Sequence, residues 1–447
     1  MLKFDYLLNE IIININKLIF VLLIFILFIY VNNCLNQKNN TIIKNKLSKQ
    51  IFNSTSNYVK VNSNKTRFAN YTIRNLDNLI IKLKLNTIHT KHINIIFADY
   101  YPSKSCYDKN AYILFEYYLN NKIDHPFYII NEESDFYKTL LKENKTKNLI
   151  LYQRKNITNF YQNLYEYLKD AKIIINSYSL HFFQLIASYV PYINFLKINH
   201  GIHHFKSSIA EKDLLSSLGN KANIIYSSPL EYEFYVKKLK YKSEQIHNSS
   251  LIRYERFQYL QKNNTNKKCI LISFTYRPYS NTTFEKSQYK NNVNLLLNNQ
   301  NLIKYLNHNN IDLIYIPHHE EIDLGKNYSQ NIFKYAKIKG RNDLENDIEQ
   351  CNLFITDYSS ISFDFMFQNK PVLFYDIDKS YNNTNDSIYF GNYFTDINLI
   401  INKIKFYVNN SFVIDNELKN NYDSIFMIKS NIINKTIEII NNILRMK

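Results

Sequence analysis

The chain has 447 residues, 45% of them hydrophobic with 39 Tyr and 30 Phe, so it can bury a sizeable core and its bulk is globular, not disordered. That length exceeds one domain of roughly 150 residues and predicts two, with a cleft between them. A formal charge of +17 suits an anionic membrane surface, donor or acceptor, but lysine is scattered instead of striped and no zinc-finger, RRM or helix-turn-helix pattern is present, which argues against nucleic acid.

The N-terminal element, residues 1–35, contains an apolar run at 18–31 preceded by a weaker stretch from Ile11. A membrane helix needs about 20 residues, so an uncleaved anchor is expected only if the Ile11 stretch contributes and Lys17 snorkels. Lys38, Lys44, Lys46 and Lys49 follow the run, which puts the downstream domains on the cytoplasmic side, where nucleotide-activated donors are made. Residues 36–92 are rich in Asn and Lys with weak periodicity and read as a tether.

From residue 93 short β-rich apolar runs alternate with helical patterns, the signature of parallel sheets with helical crossovers. Strands are expected at 93–98, 126–130, 148–152, 172–176, 193–198 and 223–226. A polar stretch at 261–268 then marks a seam, followed by strands at 269–274, 311–316, 353–356 and 371–375. Two αβ domains result, 93–262 and 263–447.

The four cysteines, Cys34, Cys106, Cys269 and Cys351, lie far apart with no CxxC pair, which argues against a metal knuckle or disulfide framework. Cys269 and Cys351 sit in or beside apolar runs and are expected as buried thiols. Only 5 glycines occur, as a strongly AT-rich genome would produce, so those that remain mark positions where the backbone needs positive φ or close approach. Gly201 is one of them.

Residues 353–378, LFITDYSSISFDFMFQNKPVLFYDID, read as strand, polar turn, helix and strand. Thr356, Asp357, Tyr358, Ser359 and Ser360 fall where the strand ends and the helix begins, so the Ser hydroxyls and helix N-terminal amides can form an anion cradle. The plainer reading makes Asp357 or Ser359 an N-cap. At 197–206, KINHGIHHFK, three histidines (His200, His203 and His204) lack a carboxylate or Cys partner at ligand spacing, so no metal site is expected.

The 353–378 segment resembles the signature of the CDP-glycerol glycerophosphotransferase family, the teichoic-acid primases and polymerases, where TDYSS precedes an Asp four residues on, here Asp364. Similar motifs follow in the family's order from about residue 93 to residue 391. His200 and Gly201 match a His-Gly pair, with Ile202 and His203 where many relatives have Thr and Pro. Arg253 in SLIRYER, Thr275 and Arg277 in SFTYR, and Pro317 and His318 in LIYIPHHE match three further stretches, with Ile316 replacing an Arg and His319 a Pro.

The resemblance implies a GT-B fold, two Rossmann-like domains facing a cleft, closed by a C-terminal helix from about Leu418. It implies transfer of glycerol phosphate, or a related polyol phosphate, from a CDP-linked donor to a membrane-associated cell-envelope, teichoic-acid-like or capsular polymer, or to a lipid-linked acceptor. His200 would be the base and His318 would face it across the cleft. Gly201, Arg253, Thr275, Arg277, Pro317, Thr356, Asp357, Ser359, Ser360 and Asp364 would bind the donor.

Such a reaction needs an aligned hydroxyl, a proton acceptor, and compensation of charge on the leaving group. A neutral imidazole, with a reference pKa near 6.5, suits the second need, and His318, Ser359, Ser360 and Arg277 suit the third. No DxD-like carboxylate pair falls at the expected phosphate turn; no cofactor is implied, and magnesium dependence stays open. Two other readings share the pattern: a GT-B glycosyltransferase using a nucleotide sugar, and a non-enzymatic basic protein binding anionic polymer at a membrane surface.

Overall fold

The computed structural model describes residues 94–99, 109–153, 160, 164, 166–168, 170–177, 192–202, 219–259, 268–275, 277, 287–318, 335–340, 344–378 and 392–445. The anchor and tether expected at residues 1–92, and His203, His204 and His319, lie outside them. Among the described residues no helix is long and apolar enough to cross a membrane.

The first sheet comprises β1 (Asn94–Ala98), β2 (His125–Asn131), β3 (Leu149–Tyr152), β4 (Ala171–Asn176), β5 (Asn194–Lys197), β6 (Ala222–Tyr226) and β7 (Ile246–Asn248). The second comprises β8 (Lys268–Ile272), β9 (Ile311–Tyr315), β10 (Lys337–Ile338), β11 (Leu353–Thr356), β12 (Val372–Tyr375) and β13 (Tyr393–Phe394). Their orders are β3-β2-β1-β4-β5-β6-β7 and β10-β9-β8-β11-β12-β13. Every ladder in both is parallel. The protein is thus an α/β fold built on two parallel sheets.

The ten expected strands are all present, with ends displaced by at most two residues. Three strands escaped the sequence pattern, β7, β10 and β13. Each has two or three residues and forms a sheet edge, too short to show alternation.

Strand residues alternate between two apolar layers, as period-2 geometry requires. Ile95, Phe97, Ile173, Ile175 and Leu196 of the first sheet share one core with Leu271, Ile314, Phe354, Val372 and Phe374 of the second. Helices α1 (Asn110–Asn120), α2 (Leu344–Gln350), α3 (Ser362–Phe367), α4 (Asn416–Ile425) and α5 (Ile432–Arg445) contribute to that same core. The opposite faces feed two separate cores, around Ile96, Ile174 and Phe195 in one sheet and Ile270, Leu313 and Ile355 in the other. The shared core makes residues 75–447 one compact unit.

The chain's last segment returns to the first sheet. Met427 donates its amide to the Ser227 carbonyl at 3.2 Å, and the Thr436 and Ser249 hydroxyls meet at 2.9 Å. A terminal helix was expected from about Leu418; the structure divides that stretch into α4 and α5.

The expectation for two cysteines is overturned. Cys269 at the start of β8 and Cys351 just before β11 form a disulfide with Cα atoms 4.7 Å apart. Separated by 82 residues, they become neighbours because β8 and β11 are adjacent in the sheet. Sequence spacing carries no trace of that adjacency.

Candidate active site

Loops at the carboxyl ends of parallel strands are where an open α/β sheet presents its chemistry. His200 lies three residues beyond β5, Thr275 and Arg277 beyond β8, and Pro317 and His318 beyond β9. Asp357, Ser359 and Ser360 follow β11, and Asp378 follows β12. Of these ends, those of β5 and β11 meet, the loop after β5 touching the loop after β11. A Cβ placed on Gly201 would stand 2.7 Å from Ser360 Oγ and 3.0 Å from Ser360 Cβ. Close approach, the expected reason for this glycine, is therefore made to Ser360.

Arg253, between β7 and the helix Tyr254–Tyr259, joins the same contact. Its Nε donates to Asp364 Oδ1 at 2.6 Å and its Nη2 to Asp364 Oδ2 at 2.9 Å, a two-point fork onto α3. Its Nη1 donates to the His200 carbonyl at 2.8 Å. The pair is buried, with Arg253 2% and Asp364 0% exposed. It is therefore not a surface ion pair. Asn110 at the start of α1 completes the arrangement: Oδ1 accepts from the Arg253 amide at 2.9 Å and Nδ2 donates to the Asn199 carbonyl at 3.1 Å.

A second network lies beneath the β11 loop. The Thr275 amide and hydroxyl donate to Asp357 at 3.0 Å and 2.9 Å, and the Tyr358 amide donates to Asp357 at 2.6 Å. Arg277 forks onto Asp378 through Nε and Nη2, both at 2.8 Å, while Nη1 meets the Thr275 carbonyl and Asp357 at 2.9 Å each. Its guanidinium also lies over the rings of Tyr358 and Tyr289, at 5.0 and 5.2 Å. Burial alone would lower the Arg277 pKa; Asp378 and Asp357 outweigh it and hold the pKa above its ordinary value. Thr275, Arg277, Thr356 and Asp357 are all buried, so they shape the loop from below.

The loop itself is a turn, and α3 starts only at Ser362. The amides of Ser362, Phe363 and Asp364 donate to the carbonyls of Ser359, Ser360 and Ile361. Those three amides close the turn, so an anion cradle at this place would draw on Ser359 and Ser360. Ser359 and Ser360 are half-buried at its surface, as are His200 and His318 on their own loops, while Pro317 is buried. Among the described residues no cluster of three or more His, Cys, Asp or Glu could hold a metal ion.

Several residues that shape the site were missed in the sequence. Asn199 adopts a left-handed conformation, φ 54°, and donates to the Ile225 carbonyl at 2.9 Å and the Tyr235 hydroxyl at 3.0 Å, bending the chain directly before His200. Its identity was the available signal, because Asn tolerates that conformation better than most residues. Asp99, after β1, accepts from the Ala111 and Tyr112 amides and the Tyr128 and Ser177 hydroxyls and so fixes the start of α1. Lys197, the last residue of β5, is buried, which pushes its pKa down to about 7 against the pull of Glu231. Asp378 stood at the end of the quoted segment without a role.

A family model matches more than half of the chain. The model of CDP-Glycerol:Poly(glycerophosphate) glycerophosphotransferase matches residues 81–398. The minor teichoic acid biosynthesis protein GgaB of Bacillus subtilis (strain 168) is 25% identical over 372 residues, 75% of this chain and 39% of GgaB. The chain thus spans about two fifths of the length of that curated relative. The structure of the wall teichoic acid polymerase TagF is similar in fold, with a TM-score of 0.59 and 15% identity, covering 86% of this chain and 98% of TagF. The S. aureus MnaA-UDP co-structure matches with a TM-score of 0.50 and 12% identity, over 78% of this chain and 97% of that one.

Proposed function

Because the chain belongs to the CDP-glycerol:poly(glycerophosphate) glycerophosphotransferase family, we propose that it transfers glycerol phosphate, or a related polyol phosphate, from a CDP-activated donor to a hydroxyl of a teichoic-acid-like or capsular polymer. The observation that carries this reading is the meeting of the His200-Gly201 loop with Ser360 of the TDYSS loop at the carboxyl ends of the two sheets. A base candidate and a phosphate-facing turn then share one place, as in-line transfer requires.

In this reading the two αβ halves act as a GT-B pair, with the second sheet receiving the donor. His200 accepts the proton of the acceptor hydroxyl as its oxygen attacks the polyol-bearing phosphorus. The bond from that phosphorus to the bridging oxygen breaks, and CMP leaves with the electron pair. Ser359, Ser360 and His318 face the growing charge, while the Asp357, Thr275, Arg277 and Asp378 network keeps the turn in shape. Residues 18–31 would hold the enzyme at the cytoplasmic membrane surface, beside a membrane-associated acceptor.

A GT-B glycosyltransferase using a nucleotide sugar is the second reading, because the two-sheet αβ pattern alone does not separate hexosyl from polyol-phosphate transfer. Purified protein offered CDP-glycerol and a set of UDP-sugars separates the two. CMP release with phosphodiester product supports the first, and UDP release alone rejects it.

A further inference from the structure

We propose that Arg253 is a positioning residue that ties the seating of α3 to the placement of His200, and that it makes no contact with the donor. This inference rests on the reading of His200 as the base.

The guanidinium is engaged on both of its usable edges. One edge forks onto Asp364, and Nη1 is taken by the His200 carbonyl. At 2% exposure, against a carboxylate at 0%, it could reach a donor phosphate only by breaking a buried ion pair. A charged donor ligand would be expected at the surface of the cleft. This one sits beneath it.

Its position is that of a bracket. The peptide of His200 is held on three successive residues: Asn110 grips the Asn199 carbonyl, Arg253 grips the His200 carbonyl, and Gly201 lies against Ser360. Arg253 and Asn110 also bind each other through the Arg253 amide. Asp364 belongs to the helix that follows the TDYSS turn, so any shift of α3 relative to the first sheet pulls on the peptide that carries the imidazole. A buried pair of this kind adds little net stability and is better suited to fixing one arrangement.

Arg253→Lys keeps the charge opposite Asp364 but cannot supply the fork and the third bond together. It should lower kcat for CMP release about 10- to 100-fold, the order expected for a base displaced by about an ångström. The KM for CDP-glycerol, and its Kd by calorimetry, should change less than about threefold. The losses from Arg253→Lys and His200→Ala should not multiply: the double variant should fall within about threefold of His200→Ala, an outcome a merely structural role would not give. Asn110→Ala, which leaves the ion pair intact, should show the same kcat-only pattern more mildly and serves if Arg253→Lys does not fold.

Donor binding weakened tenfold or more with kcat retained, or losses that multiply, would overturn the inference while leaving the reaction in place. Wild-type protein that releases no CMP from CDP-glycerol would instead overturn the reaction, and the inference with it.

Discussion

Gly201 and Ser360 touch across the two sheets so closely that the glycine has no room for a side chain, with 2.7 Å between a would-be Cβ and the serine oxygen. The loop bearing His200 and the turn bearing TDYSS are therefore seated on each other, and the fit depends on one missing methyl group.

Gly201→Ala should wedge these loops apart. Turnover of CDP-glycerol is expected to fall at least tenfold, because small misplacements of reacting groups carry large rate penalties. Removing the opposing side chain as well, in Gly201→Ala with Ser360→Gly, should bring the unfolding midpoint back toward that of Ser360→Gly alone, a readout independent of the charge-facing Ser360 hydroxyl. A double variant no more stable than Gly201→Ala would mean that the contact does not seat the two loops.

The scaffold beneath the turn should reveal itself in stability. Asp378→Asn leaves the buried Arg277 guanidinium with one carboxylate, Asp357, where it now has two. Breaking a buried pair costs about 3–5 kcal/mol, and the remaining Asp357 contact should hold the loss to about 2–3 kcal/mol in chemical denaturation. Arg277→Lys should lose a similar amount, since an ammonium cannot form the fork. Unchanged unfolding midpoints would remove this network from the account.

Lys197 gives a pH dependence of defined sign. Its folded pKa is pushed down to about 7 by burial, whereas an unfolded lysine titrates near 10.4. Between those values the unfolded chain binds more protons, so stability rises with pH across that window. The contribution is fully present above about pH 10.4 and is lost as pH falls through about 7. Relative to Lys197→Met, the wild type should gain about 2–4 kcal/mol of unfolding free energy between pH 7 and pH 10. A constant difference between the two proteins across that range would mean that the ammonium is not desolvated.

Much of this architecture was legible in the residues. The central strands announced themselves as runs such as IIIN at 173–176 and LFIT at 353–356, because strands buried on both faces need no polar alternation. Gly201 stood out against a chain with few glycines, and the structure gives the close approach that its rarity suggested. What stayed hidden depends on distance in space. Asn110 acts on residues 89 and 143 positions away, and Cys269 pairs with a residue 82 positions on, so no local pattern could assign either. Arg253 and Asp364 were legible as residues of two separate motifs, but their buried pairing and the bond to the His200 carbonyl were not.

The most direct test is steady-state CMP release from CDP-glycerol by wild-type protein and His200→Ala, with donor binding measured alongside. The wild type should turn over and bind the donor. His200→Ala should bind it within a few-fold of wild type while kcat falls by about two to four orders of magnitude, the usual worth of a general base. Near-native turnover by His200→Ala would contradict the assignment of the base, and no CMP release by the wild type would contradict the reaction itself.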